Sequence, residues 1–232
     1  MDHETIQAIA LVLGASWAAG INLYAAILVL GILGNTGYAE LPQGLELVEN
    51  PLVLGVAGIM YFIEFFADKT PGVDSGWEAI HTFIRIPAGA MMAVGAASGI
   101  EVNQAVTLAA ALLGGGVAAT SHFTKAGTRL MINTSPEPVT NWVASFTEDI
   151  AVIGGLWAAL TYPWLFIVMF IVFILLAIWL LPKIWRALKL IARKIRNWFS
   201  GDEETPEPAV TVAVRKLGID AVAESHTEQP KQ

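Results

Sequence analysis

The run TIQAIALVLGASWAAGINLYAAILVLGILGNTGYA, residues 5–39, passes through 35 positions without an Asp, Glu, Lys or Arg. A second run, IAVIGGLWAALTYPWLFIVMFIVFILLAIWLLP at residues 150–182, does the same over 33. About 20 apolar residues suffice for a helix to cross bilayer hydrocarbon, so both runs belong in a membrane. The composition agrees: 55% of the 232 residues are apolar and 14% charged, against about 25% charged in soluble domains. An ordinary soluble domain is excluded. With no cysteine, a disulfide framework is excluded as well, and the redox compartment is left open.

Outward from these runs, further apolar segments lie at residues 51–67, opened by a proline at a first helical position, at 86–100, at 106–123, and in a stretch ending near Tyr162. Together with 6–33 and 163–181 they predict an all-α fold, a polytopic membrane helix bundle of about six spans. Pro163 either separates two spans or kinks one, which would leave five. The acidic start at Asp2 and Glu4 lacks the basic region of a secretory signal, so the first run is expected to persist in the mature chain.

The net charge of −7 hides an uneven distribution. Residues 1–182, the expected membrane bundle, carry four Lys/Arg against 13 acids; residues 183–199 carry six basic residues and no acid; residues 200–232 carry three against seven. The middle segment reads as a basic amphipathic helix for anionic inner-leaflet lipids, and the last as a mostly disordered acidic tail. With six spans, every one of the 13 Lys/Arg falls on one side, so the positive-inside bias places both termini in the cytoplasm. The lipid bilayer is the expected partner; nucleic acid is not, and a homo-oligomer is left open.

Between Asp149 and Pro163 lie 13 residues, which rise roughly 20 Å as a helix against about 30 Å of hydrocarbon. That helix must start near Asn141 and carry Glu148 and Asp149 inward; the same arithmetic draws in Arg85. Charges at such depth must face protein or water.

Two polar blocks hold the candidate site. In the first, Glu64 and Asp68 share a helix face four residues apart, Asp74 follows a turn, and Glu78, His81 and Arg85 recur at spacings of three and four. In the second, His122, Lys125 and Arg129 form one stripe, followed by Asn141, Glu148 and Asp149. Crowded carboxylates bind protons or cations, and Arg and Lys can serve as counter-ions or hold a phosphate. The bland alternative is a pair of solvated hairpins with snorkelling lysines. Gly20-Ile21-Asn22 marks a candidate local break in the first helix. A weak echo between the segments after Trp77 and Trp142 raises a duplicated helical hairpin, its polar segments cytoplasm-facing or re-entrant. No metalloprotease, nucleophile-elbow or phosphate-loop motif is present, and nothing implies a cofactor or a metal.

In its segments 20–24, 67–75, 81–85, 87–90, 125–129 and 133–138 the sequence resembles the uncharacterised bacterial membrane family called domain of unknown function four-one-two-six, over residues 5–180. The resemblance implies a shared helical membrane fold in a bacterial inner membrane and no activity. The residues themselves favour a small transporter or channel for a proton or small cation, in which Glu64, Asp68, Asp74, Glu148 and Asp149 bind or relay. The alternatives are a translocase or enzyme for a phosphorylated lipid head group, held by His81, Arg85, His122, Lys125 and Arg129, and a scaffold that recruits partners through its tail.

Overall fold

The computed structural model describes residues 3–70, 72–100, 103–133 and 138–200. Residues 1–2, 71, 101–102, 134–137 and 201–232, the last with the tail expected to be disordered, lie outside the described residues. Six α-helices follow one another: α1 (His3–Asn35), α2 (Pro51–Ala67), α3 (Val73–Ala97), α4 (Gln104–Ile132), α5 (Pro138–Thr161) and α6 (Pro163–Ser200), with a 3-10 turn at Gln43–Glu49 before α2. No strand occurs among the described residues. The fold is the expected all-α polytopic bundle. Five helices are long and apolar enough to cross a membrane, or six if the turn and α2 count as one bent span.

Local chemistry sets the helix starts. Asn50 accepts a hydrogen bond from the Leu52 amide at 2.8 Å and Pro51 occupies the first turn of α2; Asn103 caps α4 through the Val106 amide at 3.0 Å. Such caps satisfy amides that a helix start leaves unbonded. The residues at 183–199 belong to the same continuous helix as the last apolar run, because α6 passes through Pro182 without a break. The described residues up to Arg186 form one compact unit, and those from Ala187 belong to a second.

The first helix departs from expectation. Asn22 leaves the helical region (φ −147°, ψ 95°), and α1 folds back on itself there. In the descending arm, residues 3–21, Gly14 packs on Ala159 and Trp17 on Gly155 and Phe166. In the returning arm, residues 23–35, Gly31 meets Val48 and Gly34 meets Glu49. Beyond it, the Tyr38 hydroxyl accepts from the Trp157 indole at 3.3 Å, one turn from the end of α5. Glu4 and Leu33, which a straight helix would hold roughly 43 Å apart, line one cavity of about 440 Å³ with Glu40, Gly99 and Thr161. Both ends of α1 therefore sit at the same end of the bundle. The element that folds back is α1, and the charges of the two polar blocks lie along one end of α2 to α5. The start of α1 and the Ile184 end of α6, which packs on Gly127 of α4, lie at opposite ends of this unit.

The folded-back helix is the centre of the bundle, packed against α2, α3, α4 and α5. Its walls are small residues. A Cβ added at Gly89 would lie 2.3 Å from that of Ala118, and one at Gly114 would lie 2.2 Å from that of Ala93. The Ser16 hydroxyl donates to the Gly89 carbonyl at 3.2 Å in the same layer. Close backbone approach of this kind is how membrane helices gain dispersion contact in the absence of a hydrophobic driving force. Large apolar side chains point outward instead, among them Leu52, Val56, Ile59 and Phe62 of α2 and Leu165, Val168, Val172 and Leu176 of α6. They suit a lipid surround.

Candidate functional site

The apex of α1 is built by one asparagine. The Asn22 side-chain oxygen accepts from the Ala25 amide at 2.9 Å, which caps the returning arm. The break releases the Ile21 carbonyl from the helical ladder, and the Lys125 ammonium of α4 donates to it at 3.0 Å. The Asn22 amide donates to Asp149 Oδ1 of α5 at 3.1 Å. Irregular backbone at membrane depth persists only where protein or water satisfies it. Here protein side chains do.

Around this apex α2, α3, α4 and α5 converge their charges. Arg85 is fully buried; one guanidinium nitrogen bonds Glu64 Oε1 and the other Glu78 Oε2 at 2.7 Å. Lys125 Nζ has Asp68 Oδ2 and Glu78 Oε1 each at 2.9 Å, Glu148 Oε2 at 3.4 Å and Glu64 Oε1 at 3.5 Å. Arg129 binds both oxygens of Glu148, at 2.6 and 3.2 Å, and donates to the carbonyls of Asp68 and Asn141 at 2.9 and 3.1 Å. His122 Nδ1 lies 3.2 Å from Glu78 Oε2 and its Nε2 lies 2.7 Å from the Thr82 hydroxyl. Four carboxylates thus face three cations in one connected cluster. Two carboxylate oxygens, Glu64 Oε2 and Asp68 Oδ1, are buried and have no hydrogen-bond partner among the described residues.

The candidate residues read from the sequence separate into a cluster and its periphery. Glu64, Asp68, Glu78, Arg85, His122, Lys125, Arg129 and Glu148 form the cluster, and Asp149 joins it through Asn22. Asp74 does not. It accepts from the Gly72 and Ser75 amides at 2.9 and 2.6 Å and from Asn133 at 2.8 Å, tying the start of α3 to the end of α4. Asn141 supports Arg129 with its carbonyl and donates to Asn133 at 3.0 Å. His81 donates from Nδ1 to the Trp77 carbonyl at 2.9 Å, stacks on that indole at 4.3 Å, and holds the Tyr24 hydroxyl at 3.1 Å through Nε2. It bears on the returning arm of α1 rather than on the carboxylates.

Sequence reasoning misses Lys69 and Tyr24. Lys69 donates to Ser145 at 2.9 Å and to the Phe65 carbonyl at 3.1 Å, with its ammonium over Phe65 and within about 5 Å of the Trp142 and Phe146 ring centres. The aromatic faces attract the cation, while burial pushes its pKa below the usual lysine value. The interleaved Phe65, Trp142 and Phe146 are the available signal. Tyr24 lies in plain view beside Asn22 but at no readable spacing from His81.

Chemically, the cluster is an oxygen-rich cage in which Glu64, Asp68, Glu78 and Glu148 share the cations Arg85, Lys125 and Arg129. Above it the Gly89, Gly114 and Ala118 layer closes the packing toward the end that holds the 440 Å³ cavity. No curated protein and no solved structure matches the sequence. A family profile matches residues 9–183, and the chain therefore belongs to the family described as Domain of unknown function (DUF4126).

Proposed function

We propose that the chain moves a proton or a small cation across a membrane, with the cage at the apex of α1 as the binding station. The observation that carries this reading is the gathering of buried carboxylates, Glu64, Asp68, Glu78 and Asp149, around the point where α1 folds back, with Glu64 Oε2 and Asp68 Oδ1 lacking a partner among the described residues. Ionisable groups inside a membrane are costly and mark ion paths, and half-helix ends meeting near the middle of a membrane are a recurrent way to bind an ion. Packing alone would be served better by apolar side chains, since buried ion pairs rarely stabilise more than the hydrophobic residues that could replace them.

The positive-inside bias supports placing the α2–α3 and α4–α5 connections and the basic 183–199 segment on the cytoplasmic side of a bacterial inner membrane, where that segment would meet anionic lipid. The start of α1 then lies outside, with Glu40, Glu46 and Glu49. The phosphate-binding alternative fares worse, because Arg85, Lys125 and Arg129 are each neutralised by carboxylates and an anion would have to displace them.

Purified protein in proteoliposomes tests the reading. A proton or alkali-cation gradient should dissipate faster than in empty vesicles, Asp68→Asn should abolish the difference, and Glu46→Gln should keep it. Equal leak in all four preparations would reject the proposal.

A further inference from the structure

The oxygens that enclose the centre of the cage already hold a cation, and it is covalently attached. Lys125 Nζ has five oxygen neighbours between 2.9 and 3.5 Å: the Ile21 carbonyl, Asp68, Glu78, Glu148 and Glu64. Glu64, Asp68 and Glu78 are also buried and close enough together for one carboxylate oxygen from each to share an ion. Two further oxygens, Glu64 Oε2 and Asp68 Oδ1, are buried without a partner among the described residues. A lysine that merely neutralises charge needs one carboxylate. This one sits where an ion would sit, with a main-chain carbonyl supplied by the break at Asn22.

We infer that this cage is a monovalent-cation site of potassium or ammonium size, and that the Lys125 ammonium is its tethered occupant, exchanging with the free cation. The inference rests on the cation reading above and names the class of ion. Size follows from the occupant: the Lys125 ammonium keeps its nearest side-chain oxygens at 2.9 Å, longer than the contacts of magnesium, about 2.0–2.1 Å, or of calcium, about 2.3–2.6 Å, so an ion that replaces it without moving those oxygens is of ammonium size. Potassium, like ammonium, accepts longer contacts and is bound elsewhere by carbonyl oxygens that replace its hydration shell. Charge follows from stoichiometry. One positive charge leaves with the Lys125 ammonium, and one monovalent ion restores the balance that the surrounding Arg85 and Arg129 pairs were built around. Lysine suits the role because its charge is a compact point on a flexible four-carbon stem.

The test removes the tether. Purified Lys125→Met protein is unfolded thermally in detergent at equal ionic strength in potassium, ammonium, lithium or choline chloride. Binding to the folded state raises the midpoint with ligand concentration. A saturable rise on the order of 5 °C is expected in potassium and ammonium but not in choline, smaller in the wild type, where the ion must displace the Lys125 ammonium, and lost when Asp68→Asn is added. Equal midpoints in all four salts would overturn the inference. If Lys125→Met gives no folded protein, Lys125→Gln is measured in the same way; failure of both to fold in potassium as well as in choline overturns it too. Flux by the wild type without ion-specific stabilisation of these variants would refute the tethered-ion inference and leave the transport reading standing. Stabilisation without flux would do the reverse.

Discussion

Replacing Arg85 with Met should damage the cluster more than any other single neutral substitution in it. The guanidinium is fully buried and bridges Glu64 and Glu78, the latter at 2.7 Å. At an effective dielectric of about 20, opposite unit charges at that distance attract by roughly 6 kcal/mol, of which desolvation offsets a large part. What remains after deletion is worse than the loss of a bond, because two buried carboxylates keep their charge and lose their shared partner. Breaking a buried pair from one side costs about 3–5 kcal/mol. Adding Glu64→Gln to Arg85→Met removes one stranded charge and should recover about 1–3 kcal/mol of that. Arg85→Lys should fall between, since an ammonium cannot serve both carboxylates with a planar fork. Equilibrium unfolding of purified protein in micelles, followed by tryptophan fluorescence, gives the three values. An Arg85→Met variant within about 0.5 kcal/mol of the wild type, or a double variant that is simply additive, would refute the claim that these charges form one buried unit.

The absence of cysteine makes single-cysteine labelling a clean topology assay: Glu4→Cys and Glu46→Cys should react with an impermeant maleimide from one side of the membrane and Arg186→Cys only from the other, whereas an α1 that crossed would put Glu4 with Arg186. Asn22→Ala should destabilise by about 1–2 kcal/mol through the lost cap on Ala25 and the lost donor to Asp149, with unfolding midpoints as the readout. Gly114→Ala, whose Cβ would sit 2.2 Å from that of Ala93, should cost about 1–3 kcal/mol, while Gly116→Ala, with open space at its Cβ, should leave stability within about 0.5 kcal/mol. Equal effects at the two glycines would mean that the closed layer carries no packing load.

Much of the cluster can be read from spacing and length alone. Glu64 with Asp68, and Glu78 with Arg85, share faces because helical geometry leaves no choice. The shortness of the apolar stretch after Asp149 forces Glu148 and Asp149 below the interface, and there they meet Arg129 and Asn22. The fold-back of α1 is harder to read. Hydropathy averages over many residues and a single non-helical residue leaves it untouched, so residues 5–39 look like one span although Gly20-Ile21-Asn22 marks the break. Asp74 falls in with the relay carboxylates because composition does not distinguish a carboxylate that caps a helix from one that faces a cation. Its neighbours Gly72 and Ser75, whose amides it accepts, are the turn chemistry that separates them.

Charge movement decides whether the cage binds a mobile ion. Vesicles holding the purified protein, adsorbed to a solid-supported membrane, are exposed to a step in potassium or proton concentration and the displacement current is recorded. A saturable transient is expected in the wild type, disappearing in Glu64→Gln with Asp68→Asn and persisting in Glu46→Gln. A wild-type trace indistinguishable from that of the double variant would contradict the claim that this buried cluster binds a mobile cation.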